Sequence, residues 1–174
     1  KTYAGEKISL FVVTHNRLGM LKKCITSLLS TLNDINYELI IIDNASDDGT
    51  SEFLSETKSN NERIIIVRNE TNKGTNAKSQ AAELCKGNFI IGIDDDVIEF
   101  SEGWVEKMIA AYKTVPGMGY LSSDVVQDET TTGAKLSENQ YIRDNYCGNI
   151  TLLVGPAGGW CFMISRDVYE KTGK

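Results

Sequence analysis

Three consecutive carboxylates, Asp94-Asp95-Asp96, follow directly on the apolar run Phe89-Ile90-Ile91-Gly92-Ile93. Residues i and i+2 of an extended segment point the same way, so Asp94 and Asp96 are able to face one ligand together. Two carboxylates without His or Cys nearby suit a hard cation, Mg2+ or Mn2+, usually shared with substrate phosphates. The same acids also read as a solvated turn that merely stops a strand. Two other apolar runs end in polar clusters. Lys7 to Val13 leads into Thr14-His15-Asn16-Arg17, and Tyr37 to Ile42 leads into Asp43-Asn44-Ala45-Ser46-Asp47-Asp48-Gly49.

The elements that must position these clusters follow from periodicity. The three runs read as strands, with a further strand over Arg63 to Val67. Between them lie helical stretches. Leu18 to Leu32 carries an apolar stripe at Leu18, Leu21, Ile25, Leu28, Leu29 and Leu32, with Asn16 as its expected N-cap. Thr50 or Asp48 is expected to cap a short helix through about Ser59, and Asn76 to Cys85 reads as the next helix after the Asn72-Lys73-Gly74 loop. Strands alternating with helices imply βαβ units, right-handed crossovers and an open parallel sheet. All three polar clusters then sit at C-terminal strand ends, on the edge where open α/β sheets bind ligands. With the strands ordered second, first, fourth, Asp43 and Asp94 stand two strand spacings apart, roughly 10 Å. That separation is too wide for one shared ion. It suits the two ends of a nucleoside diphosphate, with the base at Asp43 and metal-bound phosphates at Asp94 to Asp96.

Beyond Asp96, Gly103 to Thr114 is amphipathic, with Trp104 on its apolar stripe, and Gly119 to Gln127 reads as one strand or a bent pair. Asp128 to Asn139 is a polar segment expected to be a mobile or ligand-ordered loop. Leu152 to Val154 and Trp160 to Ile164 read as strands around a Gly-Pro-Ala-Gly-Gly turn, and Ser165 as the cap of a final helix.

Composition narrows the class. The 174 residues are 41% hydrophobic and 24% charged, as expected of one soluble domain, and the net charge of −6 argues against a nucleic-acid partner. No apolar run approaches the roughly 20 residues of a membrane helix. Cys24, Cys85, Cys147 and Cys161 are widely spaced and read as reduced core residues rather than a disulfide or zinc framework. His15 is the single histidine, which disfavours a His-based metal site or triad. A glycine-rich dinucleotide loop is missing after the first strand, as is a Gly-Lys-Ser/Thr phosphate loop, so a bound phosphate would need a metal.

The ordered set of motifs resembles family 2 glycosyltransferases of the GT-A fold. Leu10 to Arg17 and Glu38 to Thr50 look like that family's opening. Asn72-Lys73-Gly74 is similar to its next loop, Gly92 to Asp96 to its Asp-x-Asp motif, and Gly158 to Arg166 to the glycine pair and Ser-Arg segment near its acceptor site. The resemblance implies an α/β GT-A domain over 1–174, with a nucleotide-binding half, 1–98, and the start of an acceptor half, 99–174. It implies an inverting, metal-dependent transfer of sugar from a nucleotide-sugar donor, expected to be UDP-linked, to a saccharide or lipid-linked acceptor. Carried over by position, Thr14, Asn16, Arg17, Asn72, Gly74 and Lys78 border the nucleotide. Asp43 takes the base, Asp94 lies near the ribose and with Asp95 belongs to the nucleotide-binding set, and Asp96, with Asp94, holds Mn2+ or Mg2+. Gly158, Gly159 and Trp160 are the acceptor-side candidates. Ser79-Gln80 stands where the family often has Arg-Asn, leaving Lys78 as the nearest cation. The family's catalytic base lies downstream of the Ser-Arg segment, so it is expected beyond Lys174, and the chain is expected to be a fragment of a cytoplasmic enzyme working at the inner face of the membrane. Two alternatives stand beside this reading: a non-catalytic nucleotide-sugar-binding fragment, and a haloacid-dehalogenase-type phosphatase, whose nucleophile motif Asp94-x-Asp96-Val97 also resembles.

Overall fold

A computed structural model describes residues 5–124, 140–147 and 150–172, so the expected loop over 128–139 lies outside the described residues. Among the described residues there are five helices and eight strands, and those of the first half alternate in the order the periodicity predicts. β1 (Ile8–Thr14), β2 (Tyr37–Asp43), β3 (Ile64–Arg68) and β4 (Phe89–Asp94) are joined by α1 (Leu18–Ser30), α2 (Thr50–Ser59) and α3 (Asn76–Leu84). α4 (Trp104–Thr114), β5 (Leu121–Ser122), β6 (Ile142–Cys147), β7 (Ile150–Val154), β8 (Cys161–Ser165) and α5 (Arg166–Thr172) follow.

The main sheet has the order β3-β2-β1-β4-β8-β5. Its first four strands pair in parallel, while β8 runs antiparallel to both β4 and β5. β1 therefore lies between β2 and β4, as the groove argument required. Alternation divides the strand residues between two apolar layers. Leu10, Val12, Leu39, Ile41, Ile91 and Ile93 pack with residues of α1, α2 and α4. Phe11, Ile40, Ile42 and Ile90 pack with Ala77 and Ala81 of α3 and Tyr169 of α5. Helices cover both faces, which is why the central strands are continuous apolar runs.

Two local expectations change, and one strand is added to them. Asn16 does not cap α1. Its backbone is left-handed, with φ 52°, and its side chain instead accepts the Asp47 amide at 2.8 Å. The cap comes from thirty residues away: Asp48 Oδ2 accepts the Leu18 amide at 2.9 Å, while Oδ1 accepts the Thr50 amide and hydroxyl at 3.2 and 2.6 Å. One carboxylate thus serves the starts of two helices, and the Thr50 hydroxyl first and the Leu18 amide second hold it below its ordinary pKa. The strand read over Gly119 to Gln127 is a two-residue pairing in its described part. β6 is a strand that its polar sequence did not announce. It forms an antiparallel ribbon with β7, irregular between Asp144 and Cys147.

Candidate functional site

The C-terminal ends of β1, β2 and β4 meet at one edge of the sheet. In register, Thr14 lies beside Asp43 and Val13 beside Asp94, so β1 separates the two acids by one strand on each side.

β4 ends at Asp94, and the turn that follows, closed by the Val97 amide on the Asp94 carbonyl at 3.1 Å, gives the three aspartates different surroundings. Asp95 is 5% exposed. Its Oδ2 accepts the Thr14 hydroxyl at 2.7 Å and its Oδ1 accepts Arg17 Nη1 at 2.9 Å. Burial pushes its pKa up, against the downward pull of Thr14 and Arg17. Asp94 and Asp96 are open to solvent, with side chains 34% and 46% exposed. Each meets one cation: Lys78 Nζ lies 2.6 Å from Asp94 Oδ1, and Arg17 Nη2 lies 3.0 Å from Asp96 Oδ2. Burial opposes the Arg17 charge, but Asp95 and Asp96 outweigh it and raise the guanidinium pKa. The structure therefore brings Asp94, Asp96, Arg17 and Lys78 to one exposed place and turns Asp95 inward with Thr14.

Asp43 is 1% exposed, and its Oδ1 accepts the Ser46 amide at 2.9 Å. Its Oδ2 has no hydrogen-bond partner, but it forms an ion pair with Arg68 Nη1 at 3.4 Å. Arg68 donates instead to the Ser46 carbonyl at 2.8 Å.

Beside Asp43 stands an asparagine network that the sequence reading passed over. Asn44, 2% exposed, donates to Asn72 Oδ1 at 2.7 Å, and its own oxygen accepts Asn69 Nδ2 and the Lys73 amide at 2.9 and 3.0 Å. Asn72 Oδ1 also accepts the Gly74 amide at 2.8 Å. Asn72 and Gly74 thus shape a loop fastened to β2. The available signal was three asparagines at strand and loop ends, each able both to donate and to accept.

In the segment expected to lie on the acceptor side, the Trp160 carbonyl accepts the Asp94 amide at 2.7 Å, so this segment abuts the acidic edge. The Trp160 ring is half-buried. It lies over Gly158, where a Cβ would collide with it, and its Nε1 donates to the Ser123 carbonyl at 2.8 Å. Tyr120 donates to the Gly158 carbonyl at 2.9 Å and stacks on Phe162. Gly159 is exposed with open space around its Cα. His15 is exposed and Trp104 is a core residue. Burial pushes the Cys24 and Cys85 thiols up to about 12 and Cys161 to about 11, which makes them inert packing groups.

The model of Glycosyl transferase family 2 matches residues 9–173. A poly(ribitol-phosphate) beta-glucosyltransferase of Bacillus spizizenii is 27% identical over 93 residues, which cover 52% of this chain and 15% of that protein. Among solved structures, S. aureus TarS 1-349 in complex with UDP-GlcNAc superimposes with a TM-score of 0.71 at 17% identity, over 96% of this chain and 47% of that one. A mannosyltransferase from Pyrobaculum calidifontis, in complex with GDP-Man and Mn2+, does so with 0.70 at 14% identity, over 97% and 47%. The chain spans under half the length of these structures and less of the curated relative. The shared fold is GT-A. With the family model running from β1 into α5 over the very strand ends that gather Asp43, Asp94 and Asp96, the chain belongs to Glycosyl transferase family 2.

Proposed function

We propose that this chain binds a nucleoside diphosphate sugar across the C-terminal edge of the sheet, as the donor half of an inverting, metal-dependent transfer to an acceptor hydroxyl. One observation carries the reading. A buried carboxylate oxygen without a hydrogen bond, Asp43 Oδ2, stands across β1 from two open carboxylates. Arg68 offsets the charge of that oxygen through an ion pair at 3.4 Å, which leaves its hydrogen-bonding capacity open to a ligand donor. The N3–H of uracil is such a donor. Thr14, Asn16 and the Asn72–Gly74 loop border the nucleotide. Arg17 and Lys78 supply positive charge to its diphosphate, against a whole-chain charge of −6.

The donor set fits a divalent cation. Asp94 and Asp96 are hard oxygen ligands, and among the described residues no group of three His, Cys, Asp or Glu is placed to hold a metal ion by itself. Mg2+ and Mn2+ favour such a site, completed by phosphate oxygens and water. When bound, the cation would stabilise charge developing on the leaving diphosphate. The acceptor oxygen then forms its bond to the anomeric carbon as the carbon–oxygen bond to the diphosphate breaks. The acceptor proton passes to a general base, a role assigned to none of the residues above. Gly158, Gly159 and Trp160 face the acceptor, a saccharide or lipid-linked hydroxyl. We infer a cytoplasmic reaction. Among the described residues no helix is long and apolar enough to cross a membrane. The haloacid-dehalogenase-type alternative falls away, because the family match and the fold are those of glycosyltransferases.

Thermal melting tests the reading. UDP with Mn2+ is expected to raise Tm by several degrees at about 100 times Kd, equivalent to about 2.7 kcal/mol. Asp96→Ala is expected to abolish the shift. No shift with UDP, GDP or any other nucleoside diphosphate plus Mn2+ rejects it.

A further inference from the structure

Arg17 spans two acids that differ in every respect except charge. Its Nη1 rests on Asp95, whose side chain is 6% exposed and whose second oxygen is already held by Thr14. Its Nη2 rests on Asp96, which is 46% exposed and has no other hydrogen-bond partner among the described residues. The guanidinium therefore has a fixed end and a free end. Lys78 sits on Asp94 in the same manner. Three carboxylates against these two cations leave the edge with one net negative charge.

We propose that Arg17 is a counter-ion latch on Asp96, pivoting on Asp95, which admits a divalent cation together with a diphosphate and hinders it alone. The proposal rests on the donor-binding reading above. A bare cation arriving at Asp96 meets a guanidinium within hydrogen-bonding distance of the same oxygen, and the two positive charges repel strongly at that range. A diphosphate changes the balance. Its oxygens accept the Nη2 donors as these leave Asp96, so the guanidinium exchanges one anion for another while Nη1 keeps its hold on Asp95. Asp95 is then a positioning residue. It touches no ligand and sets where the guanidinium turns.

Arg17→Gln and Arg17→Lys, each checked for folding by its melting curve, separate this role from a structural one. Mn2+ binding without nucleotide is read by electron paramagnetic resonance, and UDP binding at saturating Mn2+ by calorimetry. The latch predicts changes of opposite sign. Arg17→Gln should bind Mn2+ alone about tenfold more tightly and UDP with Mn2+ about tenfold more weakly. Arg17→Lys keeps the charge without the fork, so both values should fall between. A purely structural role would weaken both together. Weakening of both, unchanged Mn2+ affinity, or no Mn2+ binding in Arg17→Gln overturns the proposal. If Arg17→Gln does not fold, Arg17→Lys decides alone, and Mn2+ affinity equal to wild type overturns it. The Mn2+ arm contains no nucleotide, so it stands or falls separately from the failure of wild-type protein to bind any nucleoside diphosphate.

Discussion

Asp43 uses its two oxygens differently. Oδ1 holds the Ser46 amide and so fixes the turn after β2, while Oδ2 is left without a hydrogen bond. Asp43→Asn retains an acceptor for Ser46 and places an NH2 group where Oδ2 stood. A donor there opposes the N3–H of uracil and suits the unprotonated N3 of cytosine. UDP affinity is expected to fall about tenfold, close to 1.4 kcal/mol, while CDP loses less or gains. Calorimetry with both nucleotides checks this, and an unchanged UDP-to-CDP ratio would show that Asp43 does not read the base. Single residues were only partly legible beforehand. Strand alternation already separated Asp94 and Asp96 from Asp95, yet the sequence carries no sign that Thr14 and Arg17, some eighty residues earlier, would hold the middle acid inside. The state of Asp43 Oδ2, ion-paired but without a hydrogen bond, was likewise invisible, because it depends on where Arg68 reaches from β3.

Among the elements, β1 to β4 and their helices were readable because each has a strong period and a buried apolar face. The capping Asp48 and the strand β6 were not. Asp48 reaches the start of α1 from a different loop, and β6, Ile142-Arg143-Asp144-Asn145-Tyr146-Cys147, is a strand only because β7 pairs with it. Propensity is a local quantity, and these are non-local facts. The close packing around Gly92 is another. Gly92 lies in register with Phe11 on β1 and Phe162 on β8, and the Phe11 and Phe162 rings meet edge to face across it. A Cβ at Gly92 would strike the Phe162 ring and lie 2.7 Å from Phe11 Cζ. Phe11 is fully buried and Phe162 is stacked on Tyr120, so neither ring swings away freely. Gly92→Ala is therefore expected to cost about 1–3 kcal/mol through overpacking. Calorimetric melting should show Tm lower by about 2–10 °C. A shift below 1 °C would mean that the β1-β4-β8 layer yields more easily than its geometry indicates.

Across the whole molecule, the two edges of the sheet have separate tasks. The C-terminal edge holds the open acids, and the N-terminal edge is closed by one buried carboxylate, Glu38, 6% exposed. Its Oε1 accepts the Ser9 hydroxyl and the Lys86 amide, each at 2.6 Å, and its Oε2 pairs with Lys7. Ser9 Oγ in turn accepts the Gly87 amide at 2.7 Å, so the starts of β1, β2 and β4 meet at one acid. Burial raises the Glu38 pKa, but the bonds from Lys7, Ser9 and Lys86 outweigh it and hold the group below its ordinary value. A depressed native pKa means that the unfolded chain binds the proton first as pH falls. The Glu38 contribution is then complete above the ordinary glutamate pKa of about 4.3 and is lost as pH falls through the lower native value. Glu38→Gln keeps the shape and removes the charge, so at pH 7 it should cost about 1–3 kcal/mol. Urea unfolding of both proteins from pH 7 to pH 3 should show the stability gap closing on the acid side of pH 4.3. A gap that stays constant over that range would mean that shape and not charge fastens the three strand starts. The nucleotide affinity of Glu38→Gln should be unchanged at pH 7, since the carboxylate lies at the edge opposite Asp43 and Asp94.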